Sequence, residues 1–223
     1  MFIKLFKDLF EFNCMKIFIV RHGKTNENEQ NRLSGHSNRA KLTKVGMEHA
    51  ERITEIFKNE KIDALYSSPI YRAIETAYPI AEALGMKIKK NDLLKEFDFG
   101  DDDGKVIEGD ALLHMKKRNS SLDFHFPGGE NMNDVIDRSR KFVEDLLLKD
   151  YDEVLIIAHH RINTALISEI LDIDSDDSDN IMCIGQKNPI IYEIDSIAKS
   201  CKWFNSLTGE SGEGIIYEDI LKE

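Results

Sequence analysis

The sequence predicts one α/β domain, a three-layer α/β/α sandwich around a mainly parallel sheet. Three observations carry that expectation. The 223 residues suffice for one sizeable core. Apolar runs of strand length alternate with stretches of helical period, the pattern of successive βαβ units. The two clearest runs, residues 16–20 and 153–158, each open on one charged residue and are apolar from there on, as strands covered on both faces are.

Taken in order, residues 1–14 form an apolar stripe of Phe2, Ile3, Leu5, Phe6, Leu9, Phe10 and Phe12, broken by charges. The stripe is too short and too charged to span a membrane and has no leader-peptide cleavage pattern. It reads as an N-terminal appendage to a domain spanning residues 15–198. The strand at 16–20 is followed by a polar stretch, 26–41, that reads as a long loop. Thr43 offers an N-cap to a helix whose apolar stripe is Val45, Met47, Ala50, Ile53, Ile56 and Phe57. A short strand at 62–66 leads through Ser67-Ser68-Pro69 into a second helix. Gly85 is its stop, and Pro79 is expected to kink or divide it. A strand at 86–90 follows.

Residues 91–110, rich in Asp and Gly, read as a loop able to move. After the Pro127-Gly128-Gly129 turn a helix is expected over 131–149, with a stripe of Val135, Ile136, Phe142, Val143, Leu146 and Leu147. The strand at 153–158 leads to a helix ending near 171, an acidic loop, and a last strand at 190–194. Residues 199–223, with Trp203, Phe204, Ile215, Ile216 and Tyr217, read as a tail packed on the domain.

A formal net charge of −11 and a pI near 5.2 argue against nonspecific nucleic-acid binding and against stable insertion in an anionic membrane. Cys14, Cys183 and Cys201 have neither metal-site spacing nor an even disulfide count, which fits a reducing cytoplasm.

The chemistry collects at strand ends. Arg21-His22-Gly23 follows the first strand, His159-His160-Arg161 follows the strand at 153–158, and Arg72 opens the helix after another. Ligands of open α/β sheets bind just beyond the carboxyl ends of strands. Two imidazoles and two guanidiniums there suit a phosphate. A guanidinium forks onto phosphate oxygens, and an oriented neutral imidazole is a nucleophile. Gly23 lets backbone come close to a ligand. Glu96, in the loop, is the natural acid for an alkoxide leaving group. Two other acidic clusters read as inert. Asp101-Asp102-Asp103 is expected to be a solvated turn, and Asp172-x-Asp174-x-Asp176 lacks the Gly and the final carboxylate of a calcium loop.

The blocks Arg21-His22-Gly23-x-Thr25-x-x-Asn28, Arg32-Leu33-Ser34-Gly35, Leu42-Thr43-x-x-Gly46, Ser67-Ser68-Pro69-x-x-Arg72-Ala73-x-Glu75-Thr76-Ala77, Leu94-x-Glu96-x-x-Phe99-Gly100, Pro127-Gly128-Gly129-Glu130 and Ile156-Ile157-Ala158-His159 occur in this order. Together they resemble the histidine phosphatase superfamily, whose fold is called phosphoglycerate mutase-like. The resemblance covers roughly residues 15–195. It implies His22 as a nucleophile that becomes phosphohistidine, with Arg21, Arg72 and His159 around the phosphate and Glu96 as the proton donor. Asn28, Thr25 and Arg32 are further substrate-binding candidates, and neither a metal nor another cofactor is implied.

The chain departs from the family pattern in four places. Asp102-Asp103-Gly104 stands where Trp-Glu-Gly is common. His160 replaces a usual Gly, Asn131 a usual Ser, and the segment 36–41 has one extra residue. Arg32, His36, Arg39 and Lys41 are expected at the pocket mouth, selecting a substrate with a second anionic group. The reading is a phosphomonoesterase acting on a phosphorylated small molecule. A cofactor-dependent phosphoglycerate mutase, a phosphoprotein phosphatase and a noncatalytic phospho-ligand binder are the alternatives. Only 31 residues (127 − 96) separate Glu96 from Pro127. So short a loop suits a hydrolase better than a mutase, which must keep water off its intermediate.

Overall fold

The structure is a computed structural model, and it describes residues 14–173, 184–186 and 189–217. The N-terminal stripe, the Asp174 and Asp176 positions and Cys183 lie outside those residues. A seven-stranded sheet forms the middle layer, in the order β3-β2-β4-β1-β5-β6-β7. Its strands are β1 (Lys16–Arg21), β2 (Ala64–Ser67), β3 (Ile88–Lys90), β4 (Glu153–Ala158), β5 (Ile190–Asp195), β6 (Ser200–Asn205) and β7 (Ser211–Glu213). β1 to β4 form the parallel block, and β5 to β7 extend it antiparallel.

Alternation along β1 builds the two covered faces. Ile17 and Ile19 point into one apolar cluster, which holds Val135, Ile136 and Phe142 of α5 (Met132–Leu147) and Ile162 and Leu166 of α6 (His160–Ile170). Phe18 and Val20 point into the other, with Ile53 and Phe57 of α2 (Lys44–Phe57) and Ala73, Ala77 and Ile80 of α3 (Tyr71–Leu84). The expected three layers are therefore present.

Several elements differ from the sequence expectation. The presumed loop after β1 starts with a one-turn helix, α1 (Asn26–Glu29), closed by a reciprocal capping box between Thr25 and Asn28. Val45 and Met47 of α2 face solvent; the buried stripe is Gly46, His49, Ala50, Ile53 and Phe57. Pro79 does not divide α3, whose Ala73, Ala77, Ile80 and Ala81 are packed on the sheet. Gly85 ends it in the left-handed conformation, as expected. Residues 109–120, unassigned from sequence, form α4 (Gly109–Ser120). The strand at 190–194 is not the last. The segment read as a tail supplies β6 and β7 to the same sheet.

Candidate active site

Register puts the two histidine-bearing strand ends side by side. β1 and β4 are parallel neighbours with Arg21 opposite Ala158, so His22 and His159 leave the sheet together. Their rings lie 5.1 Å apart, both buried. β2 lies on the other side of β4, and the chain after it delivers Arg72 in the first turn of α3.

The partners of His22 fix its protonation. Nδ1 lies 2.8 Å from the Gly23 carbonyl, which can only accept, so Nδ1 carries the proton. Arg72 Nε lies 3.2 Å from Nε2 and can only donate, so Nε2 presents a lone pair. Burial, and then the Arg72 and Arg21 charges, push the His22 pKa well below its ordinary value. The ring is therefore a neutral imidazole at pH 7 with its nucleophilic nitrogen unprotonated.

Arg72 is completely buried, and its Nη2 donates to the Ser34 and Gly35 carbonyls at 2.9 and 3.0 Å. Burial lowers its pKa to about 10, while Glu96 opposes that fall; it remains a cation at neutral pH. His159 is completely buried as well, and among the described residues neither ring nitrogen has a hydrogen-bond partner. Burial and the Arg72 charge hold it neutral. An orphaned imidazole this deep is costly unless a ligand supplies its partner. Arg21 donates to the Gln186 carbonyl at 3.1 Å and lines the cleft.

Gly23 has another role than the sequence suggested. A Cβ there would strike the carbonyl of Gly46, and one on Gly46 would strike the carbonyl of Lys24. The two glycines let the turn after β1 press against the start of α2. Thr76 Oγ1 accepts from the Gly23 amide at 2.9 Å and locks that turn.

Glu96 is buried, and its Oε1 accepts from the amides of Phe97 (2.8 Å) and Arg161 (3.0 Å). Its backbone is anchored too. Arg138 donates to the carbonyls of Leu93, Lys95 and Glu96 at 2.7, 2.6 and 3.0 Å, and pairs with Glu130 at 3.0 Å. Glu130 in turn accepts from the Asp98 amide at 2.8 Å. The segment around Glu96 is thus heavily bonded, not a bare loop.

A cleft of about 540 Å³ opens over His22, with Asn28, Arg32, Leu33, Phe99, Met115 and Arg118 on its walls. Arg72 and His159 lie deeper, against His22. Asn28 is at the wall; its Oδ1 accepts from the Thr25 amide at 3.0 Å. Thr25 itself is buried off the cleft, where its hydroxyl caps α1 by accepting from the Asn28 amide. Its expected contact with substrate is corrected to the support of Asn28.

Arg32 lines the cleft and is braced by the Gly104 carbonyl (2.8 Å) and Gln30 (2.9 Å). The other three residues expected to select a second anion are engaged elsewhere. His36 donates to the Glu96 carbonyl, Arg39 pairs with Glu27 and Asp103, and Lys41 lies exposed over Tyr71. Of the three aspartates only Asp101 is exposed, so the expected solvated turn is corrected for the other two. Asp102 is buried against Lys105 (2.8 Å) and His114 (2.6 Å), and Asp103 accepts from the amides of Gly35 and Ser37.

Sequence reasoning set His160 and Arg161 at a strand end without giving them a role, and did not pick out Arg118, His49 or Lys24; all five line the cleft. For Arg118 the signal was the spacing Ala111, His114/Met115, Arg118, one helical face that is partly polar because it borders the cleft. Among the described residues, no group of three or more His, Cys, Asp or Glu is arranged to hold a metal ion, and no helix is long and apolar enough to cross a membrane.

Comparison with known proteins gives these blocks a common context. Residues 17–206 match the model of the histidine phosphatase superfamily (branch 1). A putative phosphoserine phosphatase 2 of Hydrogenobacter thermophilus is 30% identical over 148 residues, 65% of this chain and 72% of the relative. A probable phosphoglycerate mutase of Salmonella choleraesuis is 30% identical over 164 residues, 70% of this chain and 75% of that protein. Among solved structures, a mycobacterial glucosyl-3-phosphoglycerate phosphatase superposes with a TM-score of 0.74 at 21% identity, covering 92% of this chain and 100% of that one. A putative alpha-ribazole-5'-P phosphatase from Escherichia coli gives 0.70 at 19%, covering 92% and 97%. With the family model spanning most of its length, the chain belongs to the histidine phosphatase superfamily, branch 1.

Proposed function

We propose that the protein is a phosphomonoesterase that hydrolyses a phosphorylated small molecule through phosphohistidine at His22. The observation that carries this reading is the pair of hydrogen bonds fixing His22 as an Nδ1-protonated, neutral imidazole beside Arg72. The phosphoryl group sits among Arg21, Arg72 and His159, with the Asn28 amide at its edge. These groups stabilise charge spreading over its equatorial oxygens. His22 Nε2 forms a bond to phosphorus as the bond to the leaving oxygen breaks, and a protonated Glu96 hands that oxygen its proton. Glu96, now a carboxylate, then takes a proton from water. The water oxygen bonds to phosphorus, the P–N bond breaks, and neutral His22 returns with inorganic phosphate and a protonated Glu96.

The cleft volume falls in the range of small-molecule sites. Relatives named as phosphatases support hydrolysis, and their differing substrates leave the leaving group to be identified. The test is phosphate release from a panel of monoesters in excess chelator, paired with a rapid quench of labelled substrate. An acid-labile, base-stable phosphoprotein that His22→Ala cannot form is expected. Label retained by that variant sinks the assignment. Conversion of 3-phosphoglycerate with its bisphosphorylated primer faster than phosphate release would replace the hydrolase by a mutase.

A further inference from the structure

The sheet face that carries Phe18 is covered unevenly. On it α2 and α3 pack over the parallel block, with Phe57 meeting Phe18 edge-on at 5.0 Å. Beyond α2 the antiparallel strands leave a groove of about 590 Å³, which shares no lining residue with the cleft over His22. Register gives its floor. Phe18 lies opposite Glu193, Ile191 opposite Phe204 and Lys202 opposite Glu213, so these side chains share one face. Phe18, Ile191 and Phe204 form the apolar part, with Ile56 and Phe57 as the α2 wall. The rim is charged. Its Lys16 pairs with Glu153 at 2.8 Å, while Glu60, Glu193, Lys202 and Glu213 form no ion pair among the described residues. An apolar floor inside a polar rim is the build of a docking surface.

We propose that residues 2–12 of the same chain occupy this groove. Where the segment joins the domain is the first reason. Cys14 Sγ donates to Asp195 Oδ2 at 3.1 Å, and Asp195 lies opposite Lys16 in register. Lys16 stands on the rim, so the chain enters the domain on the groove's own face and at its edge. Composition is the second. Seven of the eleven residues are apolar, at roughly helical spacing. Lys4 and Lys7 bring the cations that Glu60, Glu193 and Glu213 lack, and Asp8 and Glu11 suit Lys202. Reach is the third. From β1 to β7 the sheet takes three strand spacings, about 14 Å, and eleven residues at a helical rise span about 16 Å. The other segments outside the described residues fit worse. Residues 174–183 bring four aspartates to a rim already rich in carboxylate, and residues 218–223 follow Tyr217, which bridges to Ile184 in the cluster of the opposite face.

The test uses the full chain. Benzoylphenylalanine is introduced at Phe6 or at Phe10, and an equal mixture of isotope-labelled and unlabelled protein is irradiated. The expected cross-links join these positions to peptides holding residues 56–60 or 191–213 of the same copy. Cross-links that mix the isotopes would hand the groove to a second copy and overturn the proposal. So would cross-links confined to other surfaces or to added phosphatidylglycerol vesicles, and so would the absence of any cross-link. A second measurement reads the burial itself. Phe6→Asp together with Phe10→Asp should lower the melting temperature by about 5 °C or more, because two aromatic side chains leave an apolar site. An unchanged melting temperature overturns the proposal as well. Should the double variant not fold, the cross-link map decides.

Discussion

Arg72 Nε donates to His22 Nε2 across 3.2 Å, so an arginine proton occupies the lone pair proposed to attack phosphorus. The bond holds the imidazole in its reactive tautomer and points one donor of a planar fork at the place the phosphoryl group will take. Binding of a phosphate gives that N–H an oxygen instead and uncovers Nε2. Arg72→Lys keeps the charge and loses the fork. We expect kcat to fall about 10²–10³-fold, the usual loss for one preorganised donor. Nitrogen NMR of His22 should show Nδ1 protonated and Nε2 unprotonated at pH 7, with Nε2 moving when phosphate is added. An Nε2-protonated ring would contradict the proposed nucleophile.

Glu96→Gln should separate leaving groups. A proton donor is worth about 10²–10⁴-fold for an alkoxide and far less for a phenolate that leaves unaided. The side chain stays in place in the variant, because an amide oxygen can still accept from Phe97 and Arg161. Turnover of an alkyl phosphate should therefore drop much further than that of a nitrophenyl phosphate. Equal drops on both would move the role to another acid, and Asp98, next along the same segment, is the first to test.

Burial holds His22, His159 and His160 neutral well below the ordinary histidine pKa, and lowers His49 less. In the unfolded chain each protonates near pH 6.5. As pH falls below that value the unfolded state binds more protons than the folded one, so stability is lost on the acid side and complete above about pH 7. Each histidine contributes a slope of up to about 1.4 kcal/mol per pH unit in that window. The melting temperature should fall steadily from pH 7 to pH 5, and His159→Phe should flatten the fall. A melting temperature unchanged across that range would mean that these rings titrate in the folded protein.

What the sequence made legible were the features with a strong local signature. The residues of β1 and β4 are apolar on both faces, and each run stops at the residue that begins the site. Thr43, Gly85 and Asn131 mark helix ends through caps the structure contains. Helix α4 stayed hidden because its inner face carries His114 and Arg118, and hydrophobic periodicity does not register a face that borders a polar cleft. Strand β7 is short, and the place of β6 and β7 depends on β5 running antiparallel, which no local pattern states. Thr25 sits inside a motif of candidate ligands, yet its hydroxyl is spent on a helix cap. Whether a polar side chain faces a ligand or the backbone is decided by packing between distant segments, here the turn after β1 against the start of α2.

That same distant packing makes Arg138, about 40 residues from Glu96 in the chain, the strongest anchor of the proposed acid. It is a positioning residue, since its donors reach the carbonyls of Leu93, Lys95 and Glu96 and not the cleft. Arg138→Met removes three backbone anchors and leaves Glu130, which also holds the Asp98 amide, without its cation. Folding stability should drop by about 2–4 kcal/mol, because three carbonyls and one carboxylate lose partners together. More telling is the kinetic signature. If Arg138 acts through Glu96, alkyl phosphates should lose at least about tenfold more kcat than nitrophenyl phosphates, as in Glu96→Gln but more weakly. Arg138→Lys should recover part of both effects, since one ammonium can reach only some of the carbonyls. A variant destabilised as predicted but equally slow on both leaving groups would show that Arg138 holds the fold together without placing the acid.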